Sequence, residues 1–583
     1  MAPPSALRAS PIAPDQLALI ERLLRQSSPE QVQWLSGYLA GFQAGLHGPA
    51  HAPAPAAPPS PRVPLTILYA TESGNAAALA RAARKEAQRA GFAASLLDMA
   101  DTAPDRLPPG PLLVIAATWG EGDPPQRAEP FIATLLAPDA PRLEGRRFAV
   151  LALGDRAYAN FCATGRSLDA RLAALGAARI APLQECDLDY AAPARTWSQT
   201  VLAALAPPAA AGDAAVIRVD FARPAPEQDN AEDNAEDNLP ETIAAELTLR
   251  QLLSSSRSTS ETWHLELDAP GFAWEPGDAV AFSPRNDPAL VSAVLEATGL
   301  ADDAALRADL TSHFDITTLT TSALATHAAL TGQPERPRSF LEGRQLIDLL
   351  EATPARLSAS ELAQLLRPLP PRLYSIASAP VAGSVHLLVS AVRWQSHERG
   401  RAGVASIDLV SRRAVAKHLP LTLSPNPHFR LPDDPDRPII MIGPGTGLAP
   451  FRAFLQRREA AGQHGKSWLF FGARNFTHDF LYQLEVQEWR AAGVLTDLSL
   501  AFSRDQPEKI YVQHRMWEQR EQLWRWLDDG AVLYVCGDAR AMARDVHATL
   551  IRIISDATGC DADASAAWLR AAITDGRYKR DVY

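Results

Sequence analysis

Two short stretches in the second half of the chain carry side chains suited to a flavin dinucleotide. Arg372-Leu373-Tyr374-Ser375 places a guanidinium, an aromatic ring and a hydroxyl within four residues, and Gly403-Val404-Ala405-Ser406 follows about thirty residues later. A guanidinium pairs with a pyrophosphate, a tyrosine ring stacks on a flat ring system, and N–H groups at a glycine turn bind phosphate oxygens. These residues in this order predict a dinucleotide site.

A further phosphate-binding loop lies upstream. The apolar run Leu65–Ala70 predicts a strand and Asn75–Ala90 predicts a helix, with Thr71-Glu72-Ser73-Gly74-Asn75-Ala76 at the junction. The hydroxyls of Thr71 and Ser73, with the free N–H groups at the helix start, can surround a phosphate dianion without a cation. We predict a phosphate site at this junction, and its resemblance to the phosphate loop of flavodoxins implies a mononucleotide flavin; the alternative is a polar turn.

A third loop, Gly443-Pro444-Gly445-Thr446-Gly447, follows the apolar run Pro438–Ile442. A strand followed by a glycine turn receives the pyrophosphate of a nicotinamide coenzyme, and Gly445 and Thr446 are our candidates for this contact. Polar and basic groups that suit a ribose 2′-phosphate follow the next strands: hydroxyl, guanidinium, ammonium and phenol groups. Because NADPH carries this phosphate and NADH does not, NADPH is favoured. The residues are Ser503, Arg504, Lys509, Tyr511 and Gln513. The alternative is a basic surface patch.

The three loops, in this order, resemble the diflavin reductases, which pass electrons from NADPH to FAD to FMN and then to a partner. The resemblance covers nearly the whole chain. It implies that Arg372 contacts the FAD pyrophosphate, Tyr374 stacks on the ring and Ser375 points at its reactive edge. The chain has Ala379 where the family often has a serine.

The resemblance also implies the remaining flavin and coenzyme contacts. Trp119 and Tyr158 are expected to stack on the two faces of FMN. The other expected FMN contacts are Thr118, Gly120, Leu153, Gly154, Asp155, Asn160, Phe161 and Cys162. For FAD they are Leu373, Thr317, Gly332, Trp394 and Tyr583, and for NADPH Asp545 is added.

Three residues are implied to act at hydride transfer: Ser375, Cys536 and Asp581. Cys536 would position the nicotinamide rather than attack it, because hydride transfer forms no covalent intermediate; a buried cysteine is otherwise inert filler. An anionic Asp581 would stabilise the developing nicotinamide cation. The terminal Tyr583 would cover the flavin face and swing away, the alternative being a frayed terminus.

The pattern of elements predicts a multidomain α/β protein that also contains a β-barrel. The expected parts are a helical assembly segment (1–50), a Pro-rich linker (51–63), a flavodoxin-like doubly wound FMN domain (64–205), a flexible acidic linker (206–240), a ferredoxin–NADP reductase-like FAD barrel (241–432) with a helical insertion at about 285–368, and an α/β NADPH-binding domain (433–583). Five strands are expected in the FMN domain, the last over Ala178–Leu183, and four in the final domain.

Composition limits the function classes. The 583 residues carry a net charge of −11, which argues against nucleic-acid binding and suits a basic protein partner. No apolar run is long enough for a membrane helix and the start lacks signal-peptide features, so we expect a cytoplasmic protein. Four cysteines without CxxC spacing make disulfides and a metal centre unexpected.

Within the diflavin family, the N-terminal extension and the closing Arg577–Tyr583 resemble the flavoprotein subunits of NADPH-dependent sulfite reductases. The implied partner is a sirohaem and iron–sulfur haemoprotein (beta) subunit that reduces sulfite to sulfide, and the chain alone should not reduce sulfite. Two readings stay open: a soluble reductase serving another haem acceptor, such as a cytochrome P450, and a scaffold with structural flavins.

Two surfaces are predicted to meet partners. The aromatic stripe Trp34, Tyr38 and Phe42 predicts a helix for homo-oligomer formation or partner docking, or one packed on the adjacent domain. An acidic rim near the FMN loops is expected to dock the basic patch of a haem partner, unless it is simply solvated. Its members are Asp123, Asp155, Asp187 and Asp189.

Overall fold

The computed structural model describes residues 63–72, 74–119, 122–156, 160–187, 190–206, 242–462, 465–539 and 541–583. The predicted N-terminal assembly segment and nearly all of both predicted linkers lie outside these ranges. The described chain from Val63 to Tyr583 forms one compact unit. None of its helices combines the length and apolar character that a membrane span requires.

The first part of this unit is a parallel sheet covered on both faces by helices. Its strands run in the order β2-β1-β3-β4-β5, with β6 also paired to β4. The central strands β1, β3 and β4 are apolar along most of their length because both of their faces are buried. The strands are β1 (Val63–Ala70), β2 (Phe92–Asp98), β3 (Leu112–Ala117), β4 (Arg147–Leu153), β5 (Ala178–Arg179) and β6 (Gln184–Cys186), and the helices are α1 (Asn75–Arg89), α2 (Glu129–Leu136), α3 (Ala163–Ala174) and α4 (Ala191–Leu205).

The predicted strand Ala178–Leu183 is wrong in extent. The chain pairs with the start of β4 through Ala178–Arg179, leaves the sheet, and pairs with the end of β4 through Gln184–Cys186. Pro182 lies in the gap. A proline has no N–H to donate to a ladder, so a continuous strand through this position is disfavoured.

The middle part is an antiparallel sheet in the order β12-β9-β16-β7-β8-β13, which curves around an apolar core. Five helices intervene between β9 and β12, where the helical insertion is predicted. The strands are β7 (Thr242–Leu252), β8 (Glu261–Asp268), β9 (Ala279–Phe282), β12 (Arg372–Ser375), β13 (Val385–Ala391) and β16 (His418–Ser424), and the inserted helices are α5 (Pro288–Thr298), α6 (Ala304–Ser312), α7 (Thr321–Thr331), α8 (Leu346–Ala352) and α9 (Ala359–Gln364).

Several short elements lie at the edges of this barrel. The antiparallel pair of β10 (Phe314–Asp315) with β11 (Arg367–Pro368) brings together segments that are 52 residues apart in the chain. A second antiparallel pair, β14 (Arg393–Ser396) with β15 (Arg399–Ala402), is a local hairpin. A one-turn helix α10 (Val404–Ile407) follows β15 directly. These elements carry several of the residues predicted for FAD.

The last part is a parallel sheet in the order β19-β18-β17-β20-β21. Its strands are β17 (Ile439–Ile442), β18 (Ser467–Ala473), β19 (Asp497–Phe502), β20 (Val532–Gly537) and β21 (Tyr578–Val582), and its helices are α11 (Ala449–Ala460), α12 (Phe476–Asp479), α13 (Gln483–Ala491), α14 (Val512–Glu518), α15 (Arg520–Asp528), α16 (Met542–Thr558) and α17 (Ala562–Thr574). The expectation of four strands missed β21, whose charged sequence lacks the apolar run of a buried strand. The predicted fold class, multidomain α/β with a barrel, is confirmed.

Candidate functional site: one cavity shared by three nucleotide loops

A cavity of about 2220 Å³ lies where the three parts of the fold meet. Residues predicted for all three nucleotide sites line it. They are Thr71, Glu72, Gly74, Asn75, Trp119, Asp155, Thr317, Arg372, Leu373, Tyr374, Ser375, Trp394, Gly403, Val404, Ala405, Ser406, Thr446, Asp581 and Tyr583. The predicted sites therefore open into one continuous space.

The β1–α1 loop has the features of an anion cradle. Gly74 has φ +84°, a left-handed conformation that glycine adopts without strain, and a Cβ there would meet no atom of the described part of the chain within 4 Å. Helix α1 starts without a side-chain cap, so its first N–H groups face the loop. The buried Thr71 hydroxyl has no hydrogen-bond partner among the described residues. A phosphate would satisfy all of these donors, while Ser73 lies outside the described residues.

Trp119 forms one wall beside this loop. Its backbone N–H donates to the Asp123 carbonyl, and its own carbonyl accepts from the Asp123 N–H, both at 2.8 Å, which closes a tight turn after β3. The buried indole Nε1 has no partner within the described part of the chain. Gly120 and Tyr158, and Asp189 of the acidic rim, lie outside the described residues, so a second stacking wall stays a prediction.

Most other predicted FMN residues support the loops rather than line the cavity. Cys162 is fully buried at φ +55°, and burial raises the pKa of its thiol to about 12. A Cβ on Gly154 would lie 2.7 Å from the Cys162 nitrogen, so this close approach requires glycine. Thr118 Oγ1 accepts from the N–H of Thr164 at the start of α3 at 3.2 Å. The remaining members are not among the lining residues: Ala76, Leu153, Asn160 and Phe161.

The barrel supplies the groups predicted for FAD. Arg372 is exposed to the cavity and makes no side-chain hydrogen bond with another described residue, whereas Tyr374 packs partly on the barrel core. Gly403 to Ser406, at the start of helix α10, line the same space, and Ser406 Oγ accepts from the Val392 N–H at 3.2 Å.

Three further predicted FAD contacts differ in position. Trp394 is 43% exposed beside the cavity, and Thr317 lines it while donating its hydroxyl to Asp315 at 2.8 Å. Gly332 ends α7 at φ +68° and is not among the lining residues. The structure brings the first two to the predicted FAD space and leaves Gly332 apart from it.

The predicted hydride-transfer residues meet at one point although they come from three strands. Ser375 Oγ donates to Asp581 Oδ2 at 2.6 Å, and Cys536 Sγ lies 3.7 Å from the same oxygen. Cys536 and Asp581 are register partners of the β20–β21 pair, while Ser375 closes the barrel edge strand β12. The cluster therefore forms only where the barrel meets the last sheet.

Burial sets the protonation of this cluster. It raises the pKa of the Cys536 thiol well above its ordinary value, and the Asp581 carboxylate raises it further. The thiol thus remains protonated and serves as a weak donor. Burial also raises the pKa of Asp581, although hydrogen bonds from Ser375 and Cys536 oppose the shift. Two donors oriented at one carboxylate fix its position.

The C-terminal residue is held in place. The Tyr583 N–H donates to the Gly537 carbonyl at 3.0 Å, and the Ala539 N–H donates to the Tyr583 carbonyl at 3.0 Å. The Tyr583 hydroxyl lies 2.8 Å from Thr446 Oγ1 of the third glycine loop. The phenol is therefore anchored where the nicotinamide is expected to enter.

The third glycine loop lies close to β20. Gly445 has φ +58°, and a Cβ on Gly447 would lie only 2.1 Å from the Cys536 carbonyl oxygen. Glycine at position 447 lets the loop backbone approach the strand that carries Cys536. Helix α11 begins directly after the loop, as a pyrophosphate site requires.

The residues predicted for the ribose phosphate lie beyond the cavity, at the carboxyl end of β19 and the start of α14. Arg504, Lys509 and Tyr511 are exposed, and the buried Ser503 donates to the Ala473 carbonyl at 3.3 Å. Gln513 Nε2 donates to Asp545 Oδ2 at 3.0 Å, which joins two predicted contacts.

A histidine cluster elsewhere could be mistaken for a metal site. The ligand atoms of His264, Glu266 and His386 lie within 4.8 Å of one another. Arg452 Nη1, which can only donate, lies 3.0 Å from His386 Nδ1. That nitrogen must accept, so Nε2 carries the proton and cannot bind a cation. The cluster is a hydrogen-bonded link between the barrel and α11.

The cavity suits two flavins and a nicotinamide coenzyme. The unpartnered Thr71 hydroxyl and uncapped α1, within the described residues, fit the FMN phosphate. Arg372 and α10 fit the FAD pyrophosphate, and the Gly445 loop fits that of NADPH. When bound, these groups supply hydride acceptance from NADPH and electron transfer between flavins. The protein supplies position, charge and exclusion of water.

Comparison with known proteins agrees with this arrangement. The flavodoxin family model matches residues 67–197, and the oxidoreductase NAD-binding domain model matches residues 441–548. The sulfite reductase [NADPH] flavoprotein alpha-component of Bacillus subtilis is 41% identical, over 98% of this chain and 99% of the relative. The proteins of that description from Cronobacter sakazakii and Escherichia coli are 40% and 38% identical, over 100% of this chain and 99% of each relative.

The fold, the site and the matched family models show the class of protein: this is an NADPH-dependent diflavin oxidoreductase that uses FAD and FMN. The full-length likeness then narrows it. The chain belongs to the family of sulfite reductase [NADPH] flavoprotein alpha-components.

Sequence reasoning missed several charged groups on the cavity wall, among them Arg367. Arg367 contacts Asp315 and Asp155 and lines the cavity beside Thr317. Its two partners are 52 and 212 positions away in the chain, and no local motif contains them. Only the register of the β10–β11 pair and the packing of the first sheet on the barrel bring them together.

Proposed function

We propose that the chain carries electrons from NADPH, through its FAD and FMN sites, to a sirohaem and iron–sulfur haemoprotein (beta) subunit. That partner reduces sulfite to sulfide for cysteine biosynthesis in the cytoplasm. The observation that carries the proposal is the 38–41% identity along the whole chain to flavoprotein alpha-components of sulfite reductases.

Ser375, Cys536 and Asp581 are proposed as the residues of hydride transfer. Ser375 and Cys536 both point hydrogen atoms at Asp581 Oδ2, so the carboxylate is held at the cavity wall. An anion fixed there stabilises positive charge that develops on a nicotinamide. Tyr583 occupies the entrance through its bond to Thr446 and must leave when the coenzyme binds.

The remaining predicted contacts are proposed with the roles given by their loops. Thr71 to Ala76 hold the FMN phosphate and Trp119 stacks on the FMN ring. Arg372 and Gly403–Ser406 hold FAD. The NADPH contacts are Ser503, Arg504, Lys509, Tyr511, Gln513 and Asp545. Domain limits at about 64–205, 241–432 and 433–583, and homo-oligomer formation through the N-terminal segment, belong to the same proposal.

The test is sulfide production from sulfite and NADPH, by the purified chain alone and with the sulfite-reducing haemoprotein of its own organism. FAD and FMN content is measured on the same sample. Sulfide is expected only from the mixture. If no sulfide forms while the chain still reduces cytochrome c with NADPH, the acceptor is a different haem protein and the proposal fails.

A matched control is the same mixture with Asp581→Asn. Its flavin content is expected to be normal and its sulfide production strongly reduced, which would show that the electrons enter through the proposed cluster rather than from an adventitious reductant.

A further inference from the structure

One arginine bridges the first α/β unit and the barrel. Arg367 Nη1 donates to Asp155 Oδ1 at 2.6 Å, across 212 residues of sequence. Its Nε and Nη2 donate to Asp315 Oδ2 at 3.2 and 3.1 Å. The side chain is only 14% exposed, so solvent screens these ion pairs weakly.

The barrel holds this arginine rigidly. Asp315 and Arg367 are register partners of the β10–β11 pair, which fixes their backbones side by side. Asp315 also accepts from the N–H and hydroxyl of Thr317 and from the N–H of Thr318, at 2.8 to 3.0 Å. With Asp315 occupying two of its donors, the planar guanidinium can present Nη1 in one direction only.

The electrostatics agree with a permanent pair. Burial by itself raises the pKa of Asp315, but hydrogen bonding from Thr318 and the charge of Arg367 lower it below its ordinary value. Asp315 therefore stays ionised, and Arg367 keeps its counter-ion even when the first α/β unit is elsewhere.

Asp155, which accepts the hydrogen bond from Arg367 Nη1, also has a fixed position. Asp155 follows Gly154 at the end of β4, in a loop whose close approach to Cys162 permits only glycine. Asp155 also lines the cavity, as do Arg367 and Thr317. The ion pair thus lies between the loop predicted for FMN and the loop predicted for FAD.

A second contact ties the first α/β unit to the last sheet less tightly. Arg580 Nη2 donates to Glu129 Oε2 at 3.2 Å, and Glu129 is 49% exposed. An exposed pair contributes little, so it limits rotation weakly compared with the buried group at Arg367.

We propose that Arg367 is a positioning residue that docks the FMN domain on the FAD barrel, in the orientation used for electron transfer between the flavin sites. Asp315 aims its guanidinium and Asp155 receives it. The proposal rests on the diflavin assignment but not on the identity of the haem partner. Asp155 of the predicted acidic rim is thereby engaged inside the chain, so an acceptor that uses Asp155 must displace Arg367.

The test compares the full, FAD- and FMN-loaded chain with Arg367→Gln and Arg367→Lys. Amide hydrogen exchange of residues 153–156 reports docking without turnover, and stopped-flow absorbance separates FAD reduction by NADPH from the later FMN reduction. For Arg367→Gln we expect about tenfold faster exchange and about tenfold slower FMN reduction, with FAD reduction unchanged. Arg367→Lys, which keeps the charge but loses the fork, should lie between.

Two control variants distinguish the expected result from misfolding and from a general effect of losing a charge. Arg399→Gln removes an ion-paired arginine of the same barrel, paired to Glu351 away from the cavity, and should change neither readout. Asp315→Asn combined with Arg367→Gln removes the buried unpaired carboxylate and should behave as Arg367→Gln does.

A double-mutant cycle completes the test. Asp155→Asn alone should slow FMN reduction about as much as Arg367→Gln, and the two together should add nothing further. Full additivity, or unchanged exchange and FMN reduction in Arg367→Gln with both flavins retained, would overturn the proposal. Hydrogen exchange and FMN reduction are both measured on the chain without its haem partner. If the sulfide assay shows that the partner is a different haem protein, these two measurements still test the role of Arg367.

Discussion

The two parallel sheets of the molecule each place a glycine loop after an apolar strand, yet they build their sites differently. In the first sheet the loop is open: a Cβ at Gly74 would meet no atom of the described residues within 4 Å, and the neighbouring Thr71 and Trp119 come from the same sheet. In the last sheet a Cβ at Gly447 would overlap the Cys536 carbonyl, and Ser375 comes from the barrel. The proposed FMN site is local, whereas the proposed hydride-transfer cluster depends on packing between distant segments.

The difference matters for function because each site can be changed with limited effect on the other. A local site loses its ligand when a donor is removed. An assembled site loses its chemistry when any one strand shifts, even if its ligands stay bound. Single substitutions should therefore change hydride transfer, loop stability, coenzyme choice or FMN binding one at a time.

Asp581→Asn should slow FAD reduction by NADPH on the order of 100-fold, because a fixed anion at a developing charge is worth about this much. Flavin content should stay normal. Since burial raises the pKa of Asp581, the wild-type rate should fall as pH drops through that raised value, and the variant should lose this dependence. Stopped-flow absorbance from about pH 5 to 8 measures both. An unaltered hydride-transfer rate would remove Asp581 from the mechanism.

Gly447→Ala and Gly74→Ala compare the two loops directly. At Gly447 the new methyl group overlaps backbone, so we expect a loss of roughly 3 kcal/mol in the free energy of unfolding, or a displaced loop. At Gly74 there is space and the cost is the left-handed backbone, about 1 kcal/mol. Denaturant unfolding of the flavin-loaded chain measures both. Equal losses would contradict the contrast between an open and a closed loop.

Arg504→Ala should raise the KM for NADPH by about tenfold to thirtyfold and leave that for NADH nearly unchanged, because only NADPH offers a 2′-phosphate to the exposed guanidinium. Arg525→Ala, an exposed arginine on α15, is the matched control. Steady-state reduction of cytochrome c with each coenzyme gives the values. If both coenzymes weaken equally, Arg504 does not read the 2′-phosphate.

Thr71→Val should weaken FMN binding by about tenfold, since one donor to a phosphate is lost. FAD content and its reduction by NADPH should be unchanged. Thr134→Val, which removes an exposed hydroxyl bonded to the Pro130 carbonyl, is the control. Fluorescence titration of the FMN-depleted chain measures the affinity, and an equal loss of FAD would show that the two sites are not separable.

The sequence predicted best what is encoded locally. The three glycine loops each lie next to an apolar strand or a helix start, so their position followed from neighbours a few residues away. The strand Ala178–Leu183 was misjudged because Pro182 interrupts pairing within a largely apolar run. Strand β21 was missed because its charged residues look like a surface tail. It pairs with only one strand, β20, at the edge of the sheet.

Contacts across the chain were out of reach. Nothing near Arg367 indicates that Asp315 and Asp155 will surround it, because the pair β10–β11 has two residues in each strand. Ser375, Cys536 and Asp581 were named together only through resemblance to a family; the register of β20 with β21 gives the physical reason that Cys536 and Asp581 meet.

Single-turnover reduction by NADPH under anaerobic conditions tests the order of the two flavin sites most directly. Both flavins are followed in the wild-type chain and in Asp581→Asn, and FAD alone is followed in Thr71→Val depleted of FMN. We predict that Asp581→Asn delays both flavins together, and that FMN-depleted Thr71→Val reduces FAD at the wild-type rate. Rapid FMN reduction in Asp581→Asn, while its FAD stays oxidised, would contradict the order in which electrons pass from NADPH to FAD and then to FMN.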